Sequence, residues 1–329
     1  MGADMTAIYG VVACYRDISK AWGASLFKIE RLVSTTMAQI FFSSNQLLGR
    51  MLLLVVGIFA PRVAAFGIIG LLAVEWSSGF FSGNEKLRRD GLFALNGIFL
   101  GFACSSFFPT NGIAFVAIVG LALVCGLFVV IFDRCLRVWN LPLMVMPYVS
   151  AMWCLQAISQ LNPELSFAMD PFTPNGTEFF PMMNSVLGAI KGYGQIFFQD
   201  NLPLSFAILT VLSLFSSLSF GSLLSIPIGS AILSRLVVGP HWAVDSGLCS
   251  FAGILIWAAF KANTISPRLR QMLVLIAVSG PIELISIHVM KVFGLFSLSF
   301  GYVLVVWGGK LAEETQKIST TESKATMPW

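Results

Sequence analysis

Gln39-Ile40-Phe41-Phe42-Ser43-Ser44-Asn45 returns 156 residues later as Gln195-Ile196-Phe197-Phe198-Gln199-Asp200-Asn201. Five of the seven positions are identical. The same 156-residue offset carries Gly91-Leu92 onto Gly247-Leu248 and Gly97-Ile98 onto Gly253-Ile254. One offset holding across separated segments marks an internal duplication. In a membrane protein, a duplication of this kind points to a solute pathway between two related halves.

Composition places the chain in a membrane. Hydrophobic residues make up 57% of its 329 residues and charged residues 11%, with a mean hydropathy of +0.84. A soluble domain carries about 25% charged residues, so lipid must be the outer solvent for most of this chain. Apolar runs lie at 46–60, 63–81, 91–108, 111–132 and 141–158, then at 202–217, 218–238, 247–260, 268–290 and 292–308. They predict ten transmembrane helices. Two further amphipathic segments, 24–42 and 181–198, each precede the first span of a half and end in the repeated Gln-Ile-Phe-Phe. Their duplication favours tilted half-membrane helices over helices lying flat on the bilayer, since short helices at membrane depth need protein or a water-filled cavity around them.

The predicted fold class is therefore an all-α integral membrane protein of two repeats, 24–158 and 181–308, each with five spans and one re-entrant helix. Five is odd, so the repeats should be inverted, related by a pseudo-two-fold axis in the membrane plane. Basic residues concentrate on cytoplasmic loops. With the N-terminus inside, 15 Lys and Arg fall on inner segments, and only Arg62, Arg235 and Lys291 fall on outer ends; Arg50 and Lys191 fit neither side. Both termini are then cytoplasmic, at 1–23 and in a polar, mobile tail at 309–329, with the proline-rich linker 159–180 and its sequon Asn175-Gly176-Thr177 outside. The apolar run Ala7–Tyr15 follows Asp4 without a basic start, so no signal peptide is expected. The formal charge of +4 reflects this topology and does not point to nucleic acid.

Few residues carry chemistry. The six cysteines have no CxxC spacing and read as small buried hydrophobes. His241 and His288 have no carboxylate at metal spacing, and no nucleophile–base pair can be named. Neither a metal, a cofactor nor an enzyme activity is expected. Glu75 stands near the end of its span. Glu283 and His288 lie five apart in one span and share no helical face, and a single glutamate with no evident partner argues against a proton relay. The remaining polar groups in the spans are neutral, among them Gln39, Gln195, Asn96, Ser250 and Ser297. Such a lining suits a small neutral polar solute better than an ion.

The repeated Gln-x-x-Phe-x-x-Asn, the segment Gly91-Leu92-x-x-x-Asn96-Gly97-x-x-x-Gly101, and Leu141-Pro142-Leu143-Met144-Val145-Met146-Pro147-Tyr148 resemble the urea transporters, over about residues 30–308. The resemblance implies a homotrimer with one passive urea pore in each subunit. It implies Gln39 and Gln195 at the pore mouths, and Phe42 and Phe198 as one wall of two aromatic slots. The facing wall falls at Leu95 and Phe251. One helical turn further on stand Phe99 and Leu255, so the first half has exchanged leucine and phenylalanine between two positions on one face. Of the two waist threonines, the first is replaced by Val145 and the second falls at Ser297. Asn96 is retained, whereas its counterpart is Ala252.

The function expected is passive, channel-like transport of urea across a bacterial inner membrane or plasma membrane. The alternatives are a pore for another small neutral solute, such as a short amide, a methylated urea or water, or a non-transporting receptor on the same fold.

Overall fold

Polar backbone groups in an apolar solvent must be satisfied within the chain, and helices do this locally. The computed structural model describes residues 27–81, 85–108, 111–161, 181–238, 242–261 and 269–325, and among these it is helical with no strand. The expected N-terminal segment, most of the linker and the sequon lie outside the described residues. Helix α1 covers 27–39, and is followed by α2 (Gln46–Phe59), α3 (Pro61–Ser77), the short α4 (Glu85–Arg89), α5 (Leu92–Phe107), α6 (Asn111–Arg137) and α7 (Met146–Leu161). The second half repeats this order as α8 (Pro181–Gln195), α9 (Leu202–Phe215), α10 (Phe220–Val238), the short α11 (Trp242–Asp245), α12 (Leu248–Lys261), α13 (Leu269–Val292) and α14 (Phe300–Ala325). Packing repeats as well: α3, α5, α6 and α7 neighbour one another as α10, α12, α13 and α14 do.

Among the described residues, four helices are long and apolar enough to cross a membrane: Pro61–Phe80, Asn111–Arg137, Phe220–Val237 and Leu273–Val292. Others are apolar but short. The 14 residues of α2 and of α9 reach only about 21 Å, against a hydrocarbon core of about 30 Å. The last span of each half also begins later than its apolar run, because residues 141–145 and 293–299 form irregular turns before α7 and α14. The expected mobile tail is instead helical, since α14 continues to Ala325. Lys310 sustains it there, pairing with Glu313 at 3.1 Å one turn on. The two basic residues that fitted neither side of the membrane have partners: Arg50 pairs with Glu30 at 2.6 Å and Lys191 with Asp200 at 2.8 Å. Glu75 pairs with Arg88 at 2.6 Å. Cys104, Cys125 and Cys249 are buried as expected, but Cys135 and Cys154 are exposed.

The halves meet through corresponding parts. Asn45 caps α2, accepting from the Leu47 N–H at 3.0 Å, and donates across to the Phe215 carbonyl of α9 at 3.0 Å. Asn201 caps α9 in the same way, through the Leu204 N–H at 3.2 Å. Phe41 and Phe197, the same residue of the two motif copies, have ring centroids 6.5 Å apart. Helix α2 packs on α9, and α7 on α14. Near the second contact the bonds are reciprocal. Trp153 Nε1 donates to the Phe296 carbonyl at 2.9 Å, and Trp307 Nε1 to the Pro142 carbonyl at 2.9 Å. Gln160 bonds Gly294 at 2.7 Å, and Glu314 accepts from Asn140 at 3.4 Å. Each of these pairs relates residues 154 apart, so the 156-residue offset of the earlier segments has slipped by two.

Tight backbone approaches set the local positions. In the first half, α3 and α5 meet at Gly67, Gly70, Gly97 and Gly101, where an added Cβ would strike the facing helix. In the second half serines share this role, with Ser230 Oγ donating to the Cys249 carbonyl at 2.9 Å. Gly91 and Gly247 precede α5 and α12 with φ of +74° and +90°. Such a conformation costs an L-residue roughly 1–2 kcal/mol, and at Gly247 a Cβ would also meet the Gly192 amide. Gly57, inside α2, has open space around its Cβ position. Gly247→Ala should therefore lower the thermal unfolding midpoint of the purified protein in detergent. Gly57→Ala should leave it unchanged or raise it, because alanine is favoured over glycine within a helix by about 0.5–1 kcal/mol.

Candidate functional site

The two repeated glutamines end α1 and α8. Gln39 Nε2 donates to the Asp90 carbonyl at 3.3 Å, and Gln195 Nε2 to the Ser246 carbonyl at 2.9 Å. Both acceptors immediately precede a left-handed glycine, Gly91 or Gly247. The chain then turns sharply, with Phe42 and Phe198 themselves at φ of +54° and +57°. Each glutamine thus spends its donor on the protein and keeps its acceptor: Gln39 Oε1 and Gln195 Oε1 are buried without a hydrogen-bond partner. A buried acceptor without a donor is costly, and here two stand at equivalent places of the repeat.

A cavity of about 340 Å³ is lined mostly by the second half, with Phe99 and Phe107 of the first half at its wall. Its lining takes in six of the candidate residues, namely Phe99, Gln195, Phe198, Phe251, Leu255 and Ser297, together with Phe107, Trp242, Glu283, Lys291, Phe296 and Ser299 among others. Gln39, Phe42, Leu95, Asn96 and Val145 do not line it. Phe198 and Phe251 share the cavity as the expected walls of one slot. Phe99 is 4% exposed and lies parallel to Tyr148, with centroids 5.3 Å apart and an interplanar angle of 16°. One of its faces is thereby covered by the tyrosine. In the first half Leu95 and Phe42 are half-buried.

Two assignments change in the light of the geometry. Asn96 does not present its amide to a pathway. Its Nδ2 donates to the Leu92 and Met144 carbonyls at 2.9 and 3.2 Å, and its Oδ1 accepts from the Tyr148 N–H at 3.1 Å. The side chain is committed to the backbone that opens α7. Ser297 is also engaged, donating to Glu283 Oε1 at 2.8 Å, and it does not stand opposite Val145. Positive φ angles at Asn140 and Met144 recur at Gly294 and Leu298, and this register pairs Val145 with Ser299. The Ser299 and Tyr148 hydroxyls share a hydrogen bond at 2.8 Å. The reciprocal bond is broken, because Val145 has no hydroxyl to offer Tyr302, and Tyr302 Oη is buried without a partner. Glu283, which had no evident partner in the sequence, accepts from Ser297 and from the Tyr302 N–H at 3.1 Å.

Ser299, Tyr148 and Tyr302 were not singled out from the sequence because the second waist position was placed at Ser297 by resemblance to a proline motif, whose prolines the second half lacks. A signal was nevertheless present. Leu141, Tyr148, Val149 and Trp153 return as Leu295, Tyr302, Val303 and Trp307, all 154 residues on. Among the described residues no group of three or more His, Cys, Asp and Glu side chains gathers into a metal-binding cluster.

The arrangement combines buried amide acceptors, aromatic walls and a hydroxyl pair at the opening of two helices, on a membrane-embedded helical scaffold. No curated protein matches this chain. Residues 31–313, which hold both glutamine motifs and both waist turns, match the family described as urea transporter, and the chain belongs to that family.

Proposed function

We propose that the protein conducts urea passively through a pore running between its two halves. The observation that carries this reading is the pair of unpartnered glutamine acceptors, Gln39 Oε1 and Gln195 Oε1. They stand at corresponding positions of the repeat, and urea is a flat donor of four N–H groups. Phenylalanine faces at Phe42, Phe99, Phe198 and Phe251 suit a planar solute, while oxygens at its edge accept the N–H groups. Leu95 and Leu255 complete the walls, and Val145 with Ser299 forms the waist. The pore residues named in this reading are all neutral and it assigns no proton relay, so transport is expected to be independent of ion gradients.

The contacts between like parts of the two halves support a two-fold relation, and five spans per half make the repeats inverted. Ten spans in all, both termini cytoplasmic and a location in the cell membrane follow from that topology and the charge bias. The apolar face that α6 exposes, at Val116, Val119 and Leu123 among others, fits lipid or the neighbouring subunits of a homotrimer. Labelling of a cysteine placed at Lys317 and of another at Thr173 checks the topology. They should react from opposite sides of the membrane, and reaction from one side would refute the inverted arrangement.

Stopped-flow measurements on vesicles holding the purified protein alone should show urea flux down its gradient, unaffected when a proton gradient is dissipated. Acetamide, methylurea, water and ammonium run in parallel. Flux of one of these without urea would select another neutral solute, and saturable binding without flux would select a receptor. Gln195→Leu removes one of the two acceptors. It should lower urea flux by about tenfold or more, since a solute N–H left unpaired in a dry passage costs about 1–3 kcal/mol.

The waist yields a second expectation. Ser299 is the hydroxyl in register with Val145, so Ser299→Ala should slow urea. Val145→Thr replaces a methyl by a hydroxyl at nearly constant volume. It restores the missing acceptor and should raise the urea rate by up to about tenfold, if about 1.4 kcal/mol of barrier is recovered. Flux at matched protein density checks both. An unchanged or lower rate for Val145→Thr would mean that the new hydroxyl is taken up by Tyr302 or lies off the pathway.

A further inference from the structure

The two halves differ chemically at the waist in three places, and the three differences fit together. In the first half, Asn96 of α5 holds the opening of α7 by donating to the Met144 carbonyl and accepting from the Tyr148 N–H. The corresponding residue of α12 is Ala252, which has no polar group. In the second half the amide in the same register, Tyr302 N–H, is taken by Glu283 Oε2 from another helix, α13. The residue 154 positions before Glu283 is the buried apolar Val129. Both Glu283 oxygens are occupied, by Ser297 and by the Tyr302 N–H, so the carboxyl does not also hold a carbonyl as Asn96 does. Ser297 supplies the second link by donating to Glu283 Oε1, and its counterpart in the first half is Leu143. Gly301 completes the fit, since a Cβ there would strike the Glu283 side chain. Glu283 is 1% exposed, so these bonds are shielded from water.

We propose that Glu283 is a positioning residue that replaces the asparagine missing at position 252. With Ser297 it fixes the first turn of α14 and thereby holds Ser299 against Tyr148 in the waist. The glutamate is then an anchor of the backbone and not a carrier of protons. The geometric part stands by itself; its consequence for flux rests on the urea-pore reading.

The test uses the full chain in vesicles, with hydrogen exchange over residues 297–303 and urea flux measured on the same samples. Glu283→Ala should speed exchange at the Tyr302 amide by roughly tenfold or more, as expected for the loss of a buried hydrogen bond, and should lower urea flux. Ala252→Asn added to Glu283→Ala brings back a side chain in the register of Asn96, and should recover most of the protection and flux. Glu283→Gln keeps an acceptor for the Tyr302 amide and should keep the protection. If Glu283→Ala does not fold, recovery of folded protein in the double variant supports the replacement. The proposal is overturned if Ala252→Asn recovers nothing, or if Glu283→Ala leaves the Tyr302 amide as protected as before. Absence of urea flux in the unaltered protein would defeat the urea reading alone, because exchange at Tyr302 still decides the role of Glu283.

Discussion

A helix that opens inside a membrane exposes several N–H groups with no water to receive them. Helices α7 and α14 both open among buried residues, after turns that include left-handed conformations. The Tyr148 and Tyr302 amides must find acceptors within the protein, and Asn96 and Glu283 provide them. Much of the waist depends on this requirement. The acceptors tie α7 to α5 and α14 to α13, which fixes where each turn lies. The turns in turn bring Ser299 within 2.8 Å of Tyr148 and direct Trp153 and Trp307 to reciprocal carbonyls.

Identical residues made the duplication legible, and composition made the membrane legible, because both are properties of the chain alone. The half-length helices before each Asn cap were readable for the same reason: a motif with Gln at one end and Asn at the other recurs intact. The glutamine acceptors were singled out from sequence. Their significance needed coordinates, since only the fold reveals that Nε2 is spent on a carbonyl while Oε1 is left over.

What was not legible depended on distance. Glu283 looked isolated because its partners lie 14 and 19 residues away on the chain, beyond any helical periodicity. Asn96 looked like a group facing the solute because a polar residue in an apolar helix has few readings without a view of its neighbours. Ser297 was assigned to the waist by resemblance to a motif whose prolines are absent. Ser297 lies 152 residues after Val145, two short of the 154-residue offset that the neighbouring residues keep, and two residues beside a tight turn separate a hydroxyl that anchors the backbone from one that meets Tyr148.

Duplicated halves face the same physical problem and are free to solve it differently. The first half uses an amide, which accepts and donates from a single side chain. The second uses a carboxyl and a hydroxyl from two elements, and loses direct hold of the Leu298 carbonyl in doing so. Divergence of this kind constrains what can follow. Ser297 spends its donor on Glu283, while Ser299 shares its hydroxyl with Tyr148. On the opposite side Val145 leaves Tyr302 Oη unpaired, at a cost of about 1–3 kcal/mol for a buried polar group. The two helix openings are thus uneven: Tyr148 shares a hydrogen bond with Ser299, whereas Tyr302, whose counterpart of Ser299 in the repeat register is Val145, keeps an unsatisfied hydroxyl.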